Sequence, residues 1–130
     1  MQVKKINDFI DKRRSTTKLF DKYGNTEIYG NTNGIYATLS GELRNLVQAF
    51  FKPLKKGSIC EYSDCKETHS LHISHHHSRS RPEIAKSLIN EMLKLEKKCG
   101  VKVFFEKFIN RHKNYDSIYI LCRKHHIDYD

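Results

Sequence analysis

Four residues separate Cys60 from Cys65, and two separate Cys122 from His125. Thiolates and imidazoles at such short spacing are the ligand types that close a tetrahedral zinc site, and each pair flanks an expected turn. The two pairs share one ion only if the intervening chain loops back. Otherwise they are four scattered residues. A shared ion would hold together a module with too few apolar residues to hold itself. Three consecutive histidines, His75, His76 and His77, follow the alternating segment Leu71, His72, Ile73, Ser74. Imidazole titrates near neutral pH, so this run suits either proton transfer or opportunistic metal capture at a surface. His126 comes directly after the expected ligand His125. His69 and His112 read as solvated surface positions, and Cys99 as a small buried hydrophobe on a helix stripe.

A chain of 130 residues with 38% hydrophobic content points to one compact domain with a modest core. No run approaches the roughly 18 apolar residues of a membrane span. Residues 1–10 are charged and amphipathic, without the apolar stretch of a signal peptide. The expected setting is therefore cytoplasmic and reducing, where clustered cysteines favour metal over disulfides. With 24 basic and 15 acidic side chains the net charge is +9, which draws the chain toward polyanions without naming one. Residues 1–59 carry 11 basic and 5 acidic side chains, residues 60–130 carry 13 and 10, and every cysteine and histidine lies in the second part. That shift marks a basic N-terminal region, 1–59, followed by a metal-rich module, 60–130.

Periodicity supplies the elements that would position these residues. Val3, Ile6, Phe9 and Ile10 predict a helix over residues 2–14. Gly24 with Asn25, Gly30 with Asn31 and Asn33 with Gly34 punctuate the next stretch, so residues 27–29 and 35–39 are expected to form a hairpin. Ser40 is the expected N-cap of a helix carrying Leu43, Leu46, Val47, Phe50 and Phe51 and ending near Pro53. Ser80 with Glu83 forms a capping box, Pro82 suits a first turn, and Ile84, Leu88, Met92, Leu95 and Cys99 form a stripe ending at Gly100. Phe104, Phe105, Phe108 and Ile109 predict a further short helix, and residues 117–121 a strand that runs into Cys122.

Taken in order, CEYSDC, LHISHHHSRS and YDSIYILCRKHH resemble the HNH endonucleases, which carry the ββα-metal fold. The resemblance covers residues 60–77 and 115–126. It implies an α+β, treble-clef-like zinc module with N-terminal helices and hairpin, and a helical insertion over 80–112 between the two motif strands. Carried over by position, Cys60, Cys65, Cys122 and His125 become structural Zn²⁺ ligands, with His125 in place of the usual cysteine. His75 becomes the general base that activates water against a phosphodiester. His126 becomes the ligand of a catalytic divalent ion, Mg²⁺ or similar, on the scissile phosphate. Two positions depart from the family. Ser74 stands where an Asp or His often binds the catalytic ion, so His77 is the alternative ligand and Arg79 an alternative phosphate clamp. Ser117 stands where the family has an asparagine that braces the base-bearing loop. A shifted register would put His75 on the metal and make His76 the base.

The resulting expectation is a metal-dependent endonuclease on double-stranded DNA, intracellular, with phage or mobile-element origin among the options. Lys4, Lys5, Lys12, Arg13, Arg14, Arg79 and Arg81 would track phosphates; the N-terminal five read equally well as the solvated face of a helix. A homodimer cutting both strands and a monomer nicking one are both open, with Ile84, Leu88, Met92 and Leu95 as a dimer face or an ordinary core face. Two rivals share the site: a zinc-stabilised DNA-binding or adaptor module without catalysis, and a nuclease acting on RNA.

Overall fold

Apolar residues three and four positions apart build the first layer. In the computed structural model, which describes residues 1–14 and 16–129, helix α1 (Val3–Arg14) buries Ile6 and Ile10, one turn apart on a single face. Helix α2 (Thr32–Lys55) buries Ile35, Leu39, Leu43, Leu46, Val47, Phe50 and Phe51. That stripe runs unbroken through residues 35–39, so the expected hairpin of 27–29 with 35–39 does not form. Burial of Ile35 and Leu39 on the helical face outweighs the local turn signals. The turn residues act one step earlier. Gly30 takes a φ of 137° that a side chain would strain, and the Asn31 side chain accepts the Gly34 N–H at 2.7 Å, capping the helix. Ser40 therefore lies inside α2, its hydroxyl directed at the Ala37 carbonyl.

Pro53 lies within α2, which continues to Lys55. Proline has no N–H for the carbonyl four residues back. That carbonyl, on Ala49, accepts instead from Arg13 Nη2 at 3.3 Å. One helix thus supplies the donor that the other lacks.

Strand β1 (Glu27–Ile28) pairs antiparallel with β3 (Cys99–Gly100), not with a neighbour in sequence. Helix α3 (Arg81–Glu96) starts as its sequence implies, with Ser80 Oγ accepting the Glu83 N–H at 3.3 Å. It stops at Lys97, whose left-handed backbone ends the helix. Two members of the expected stripe consequently fall elsewhere: Leu95, in the last turn, is 80% exposed, and Cys99 is buried in β3. Burial pushes the Cys99 thiol up to about 11, so it stays an inert hydrophobe. Helix α4 (Val101–Asn110) buries Val101, Phe104, Phe105, Phe108 and Ile109.

The second sheet carries the histidine-rich strand. Strand β2 (Leu71–His75) pairs antiparallel with β4 (Ile118–Cys122), from Leu71 opposite Cys122 to His75 opposite Ile118. Helix α5 (Arg123–Tyr129) follows β4 without a break. The fold is α+β, with α3 and α4 filling the expected insertion between the two strands. One core cluster draws on residues from both 1–59 and 60–130, with Phe50, Phe51, Phe104, Phe105 and Phe108 among its fully buried side chains. Truncating any of these to alanine is expected to cost about 3–5 kcal/mol. Among the described residues, no helix is long and apolar enough to cross a membrane.

Candidate functional site: a thiolate knot beside an imidazole cleft

The loop before β2 folds back on the end of β4. Cys60 N–H donates to the Glu67 carbonyl at 2.9 Å, Cys65 N–H to the Tyr62 carbonyl at 3.0 Å, and Glu61 N–H to the Ile120 carbonyl at 2.8 Å. These bonds bring the two ligand pairs together: one donor atom from each of Cys60, Cys65, Cys122 and His125 lies within 4.8 Å of all the others. His125 Nδ1 is 3.4 Å from Cys60 Sγ and 3.2 Å from Cys122 Sγ. Tyr62 stacks on the His125 ring at 4.0 Å and 7°, fixing its plane.

Burial alone would raise the Cys60 thiol, but the backbone N–H groups of Cys122 and Tyr62, with His125 and Cys65, outweigh it and bring the group down to about 7. Cys65 accepts help from Glu67's backbone, yet burial and the neighbouring sulfurs leave it raised. Sulfurs that compete for negative charge are what a shared cation relieves. Three thiols and one imidazole at this spacing fit a metal such as zinc.

Beside the knot is an open cleft of about 630 Å³. Strand β2 lines it with His72, Ser74 and His75, the following turn with His76 and His77, and α5 with His126. Arg44 and Gln48 of α2 and Ser80 and Arg81 at the start of α3 complete the polar wall. Five imidazoles and two guanidinium groups face this space, and among the described residues no carboxylate lines it. Such a wall suits an anion.

His75 and His126 therefore line one cleft, and two further histidines define how. His112 is fully buried, against the expectation of a solvated position. It lies four residues beyond Phe108, so it continues the apolar stripe of α4, and its ring packs 5.0 Å from Phe108 and 5.6 Å from Phe51. Its Nδ1 is 3.0 Å from the Phe108 carbonyl and 3.2 Å from that of Ile109, which closes the end of the helix. Its Nε2 lies 3.0 Å from Nε2 of His75. Burial, followed by the charges of His112, Arg81 and His126, pushes His75 down to about 3. Burial likewise takes His112 down to about 4 against the pull of its two carbonyls. Both rings are neutral at pH 7.

His72 is the second unforeseen member. Its Nδ1 is 3.2 Å from Nδ1 of His126, and burial, then the charges of His126, Lys55 and Arg123, lower its proton affinity. Two residues before Ser74 on a strand means the same face, and that alternation was the available signal. Arg44 and Gln48, one helical turn apart on α2, gave a similar one.

The remaining expected residues are distributed unevenly. Ser74 lines the cleft with its hydroxyl buried and, among the described residues, unpartnered. Ser117 is buried outside the cleft. Its hydroxyl donates to the His112 carbonyl at 3.2 Å and its own carbonyl accepts the His76 N–H at 2.8 Å, so it braces the loop after β2. His76 stands 5.7 Å from the Tyr119 ring, and His77 is exposed at the rim. Arg79 is engaged within the fold: Nη2 donates to the Arg111 carbonyl at 2.8 Å and the guanidinium sits 3.6 Å over Tyr115. Arg13 serves Ala49, and Arg14 donates to Asn110 at 2.7 Å. Lys4, Lys5 and Lys12 lie on the exposed face of α1 and do not line the cleft. Arg81 does, while His69 is exposed and paired with Glu67.

Comparison with known protein families, curated proteins and solved structures finds no match for this chain.

Proposed function

We propose that the chain is a metal-dependent endonuclease of the HNH type, a ββα-metal module that hydrolyses phosphodiester bonds in double-stranded DNA. The observation that carries this reading is the cleft in which imidazoles from β2 and α5 converge with Arg44 and Arg81 beside the Cys60, Cys65, Cys122 and His125 group. Zn²⁺ held by that group would pin the loop before β2 to the start of α5 and so fix the cleft's two sides. A phosphate entering the cleft meets Arg44 and Arg81 on its walls. His75, neutral at pH 7, accepts the proton of the attacking water. The negative charge of the phosphodiester offsets the burial that otherwise depresses its basicity.

His72 and His126 are the residues placed to hold a catalytic ion, in preference to Ser74 and His77. Two nitrogens about 2.1 Å from one ion stand roughly 3.0–3.4 Å apart, and theirs are 3.2 Å apart. That ion would polarise the scissile phosphate and stabilise the leaving oxygen. Paired imidazole ligands favour Ni²⁺ or Zn²⁺, with Mn²⁺ intermediate, over Mg²⁺.

Plasmid relaxation in Ni²⁺, Mn²⁺ and Mg²⁺ tests the reading. Cleavage in at least one metal is expected, falling about 10²- to 10⁴-fold in His75→Ala, with zinc content unchanged. The non-catalytic adaptor reading draws on Ser74 and Ser117 in place of the family's metal ligand and asparagine. Binding to duplex DNA without cleavage in any metal would establish it instead.

A further inference from the structure

His112 has no part in the reading above, yet among the described residues its side chain touches the distal nitrogen of the proposed base at 3.0 Å. A neutral imidazole carries a single N–H. In His112 that proton is assigned by the helix end: Nδ1–H donates to the carbonyls of Phe108 and Ile109. A second proton would leave a charged ring enclosed by Phe51 and Phe108 with no counter-ion among the described residues. Its Nε2 is therefore a lone pair. Nε2 of His75, 3.0 Å away, has to bring the proton, because two lone pairs at that distance repel.

We propose that His112 is a positioning residue that locks His75 in the Nε2–H tautomer and so keeps its unprotonated Nδ1 for the cleft. The order of information runs from the carbonyls at the end of α4, through one buried ring, to the proton placement on a second. The lock is reinforced along the backbone, since the His112 carbonyl holds Ser117 and Ser117 holds the N–H of His76, next to the base. Other folds orient a base with a carboxylate or a carbonyl. A neutral histidine does so without placing negative charge beside an anion site.

The catalytic consequence rests on the nuclease reading, but the tautomer does not, so the two fail separately. Multiple-bond ¹H–¹⁵N spectra of the zinc-loaded protein read both rings directly. His75 is expected as Nε2–H and His112 as Nδ1–H. His112→Phe keeps the packing and removes the acceptor. It should give His75 a mixture of tautomers and lower plasmid cleavage roughly 10- to 100-fold, with zinc content unchanged. His112→Gln keeps an acceptor oxygen and should restore the tautomer and most of the rate. Finding His75 as Nδ1–H in the unmodified protein overturns the proposal, as does a folded His112→Phe that keeps both tautomer and rate. Should His112→Phe not fold, the unmodified spectrum and the Gln variant decide. A protein that cuts nothing yet shows the expected tautomers removes the nuclease reading and leaves the lock standing.

Discussion

His75 and His112 approach Nε2 to Nε2 at 3.0 Å, and His72 and His126 approach Nδ1 to Nδ1 at 3.2 Å. The distances are nearly equal, and the surroundings make them different objects. In the first pair, two backbone carbonyls dictate which ring holds which proton, and His112 packs against the rings of Phe51 and Phe108. In the second, the rings come from a strand and a helix that pack against each other, and both line open space. A short nitrogen–nitrogen contact acts as a hydrogen bond where backbone carbonyls assign the proton, and fits a shared ion where both rings border open space.

The most drastic way to break this contrast is to remove its scaffold. Stripping metal from the Cys60, Cys65, Cys122 and His125 group with a chelator is expected to melt the β2–β4 pairing and α5. Coupled metal binding and folding of such sites is worth on the order of 10 kcal/mol. Thermal melts with and without chelator check it, and an unchanged transition would mean that the knot holds nothing. Next in size, His126→Ala and His72→Ala should each weaken binding of the divalent ion proposed for the cleft while leaving metal bound at the Cys60, Cys65, Cys122 and His125 group in place. Titration calorimetry with Ni²⁺ on zinc-loaded protein reads this, and an unaltered affinity in His72→Ala returns the second ligand to His77 or Ser74.

Acid separates the pairs more gently. His75 and His112 have proton affinities depressed to about 3 and about 4, so the unfolded chain takes up protons first as pH falls below about 6.5. Their contribution to stability is intact above that pH and is lost progressively down to the folded values, by up to about 1.4 kcal/mol per pH unit for each ring. Urea melts between pH 7 and 5 should show a shallower decline in His112→Phe than in the unmodified protein. The smallest effect contrasts two arginines. Arg44→Ala, exposed on the cleft wall, should reduce the salt dependence of duplex binding by about one unit of slope. Arg79→Ala should lower the melting temperature and leave that slope unchanged.

What the chain revealed in advance follows the range of each signal. Ligand spacing, the Ser80 cap and the Phe104, Phe105, Phe108 stripe are local, and each is found where the sequence placed it. The strand partner of Glu27 is not local. It lies seventy residues on, in a two-residue strand that no pattern marks. The helical stripe beginning at Ile35 was legible in principle, but glycines and asparagines around it signalled a turn more strongly. His112 runs against the usual exposure of histidine, and the four-residue step from Phe108 is the local pattern that puts it inside. His72 carries its signal only in the two-residue alternation with Ser74, which the triple histidine after it obscures.

The Ala49 carbonyl left without an N–H by Pro53 and taken up by Arg13 changes how the chain's positive charge should be counted. A formal excess of nine suggests a surface uniformly receptive to a polyanion. Yet Arg13, Arg14 and Arg79 already mend helix ends and span gaps inside the fold. The cations at liberty to greet a nucleic acid are fewer and more localised than composition suggests, and proline chemistry forty residues away is part of the reason.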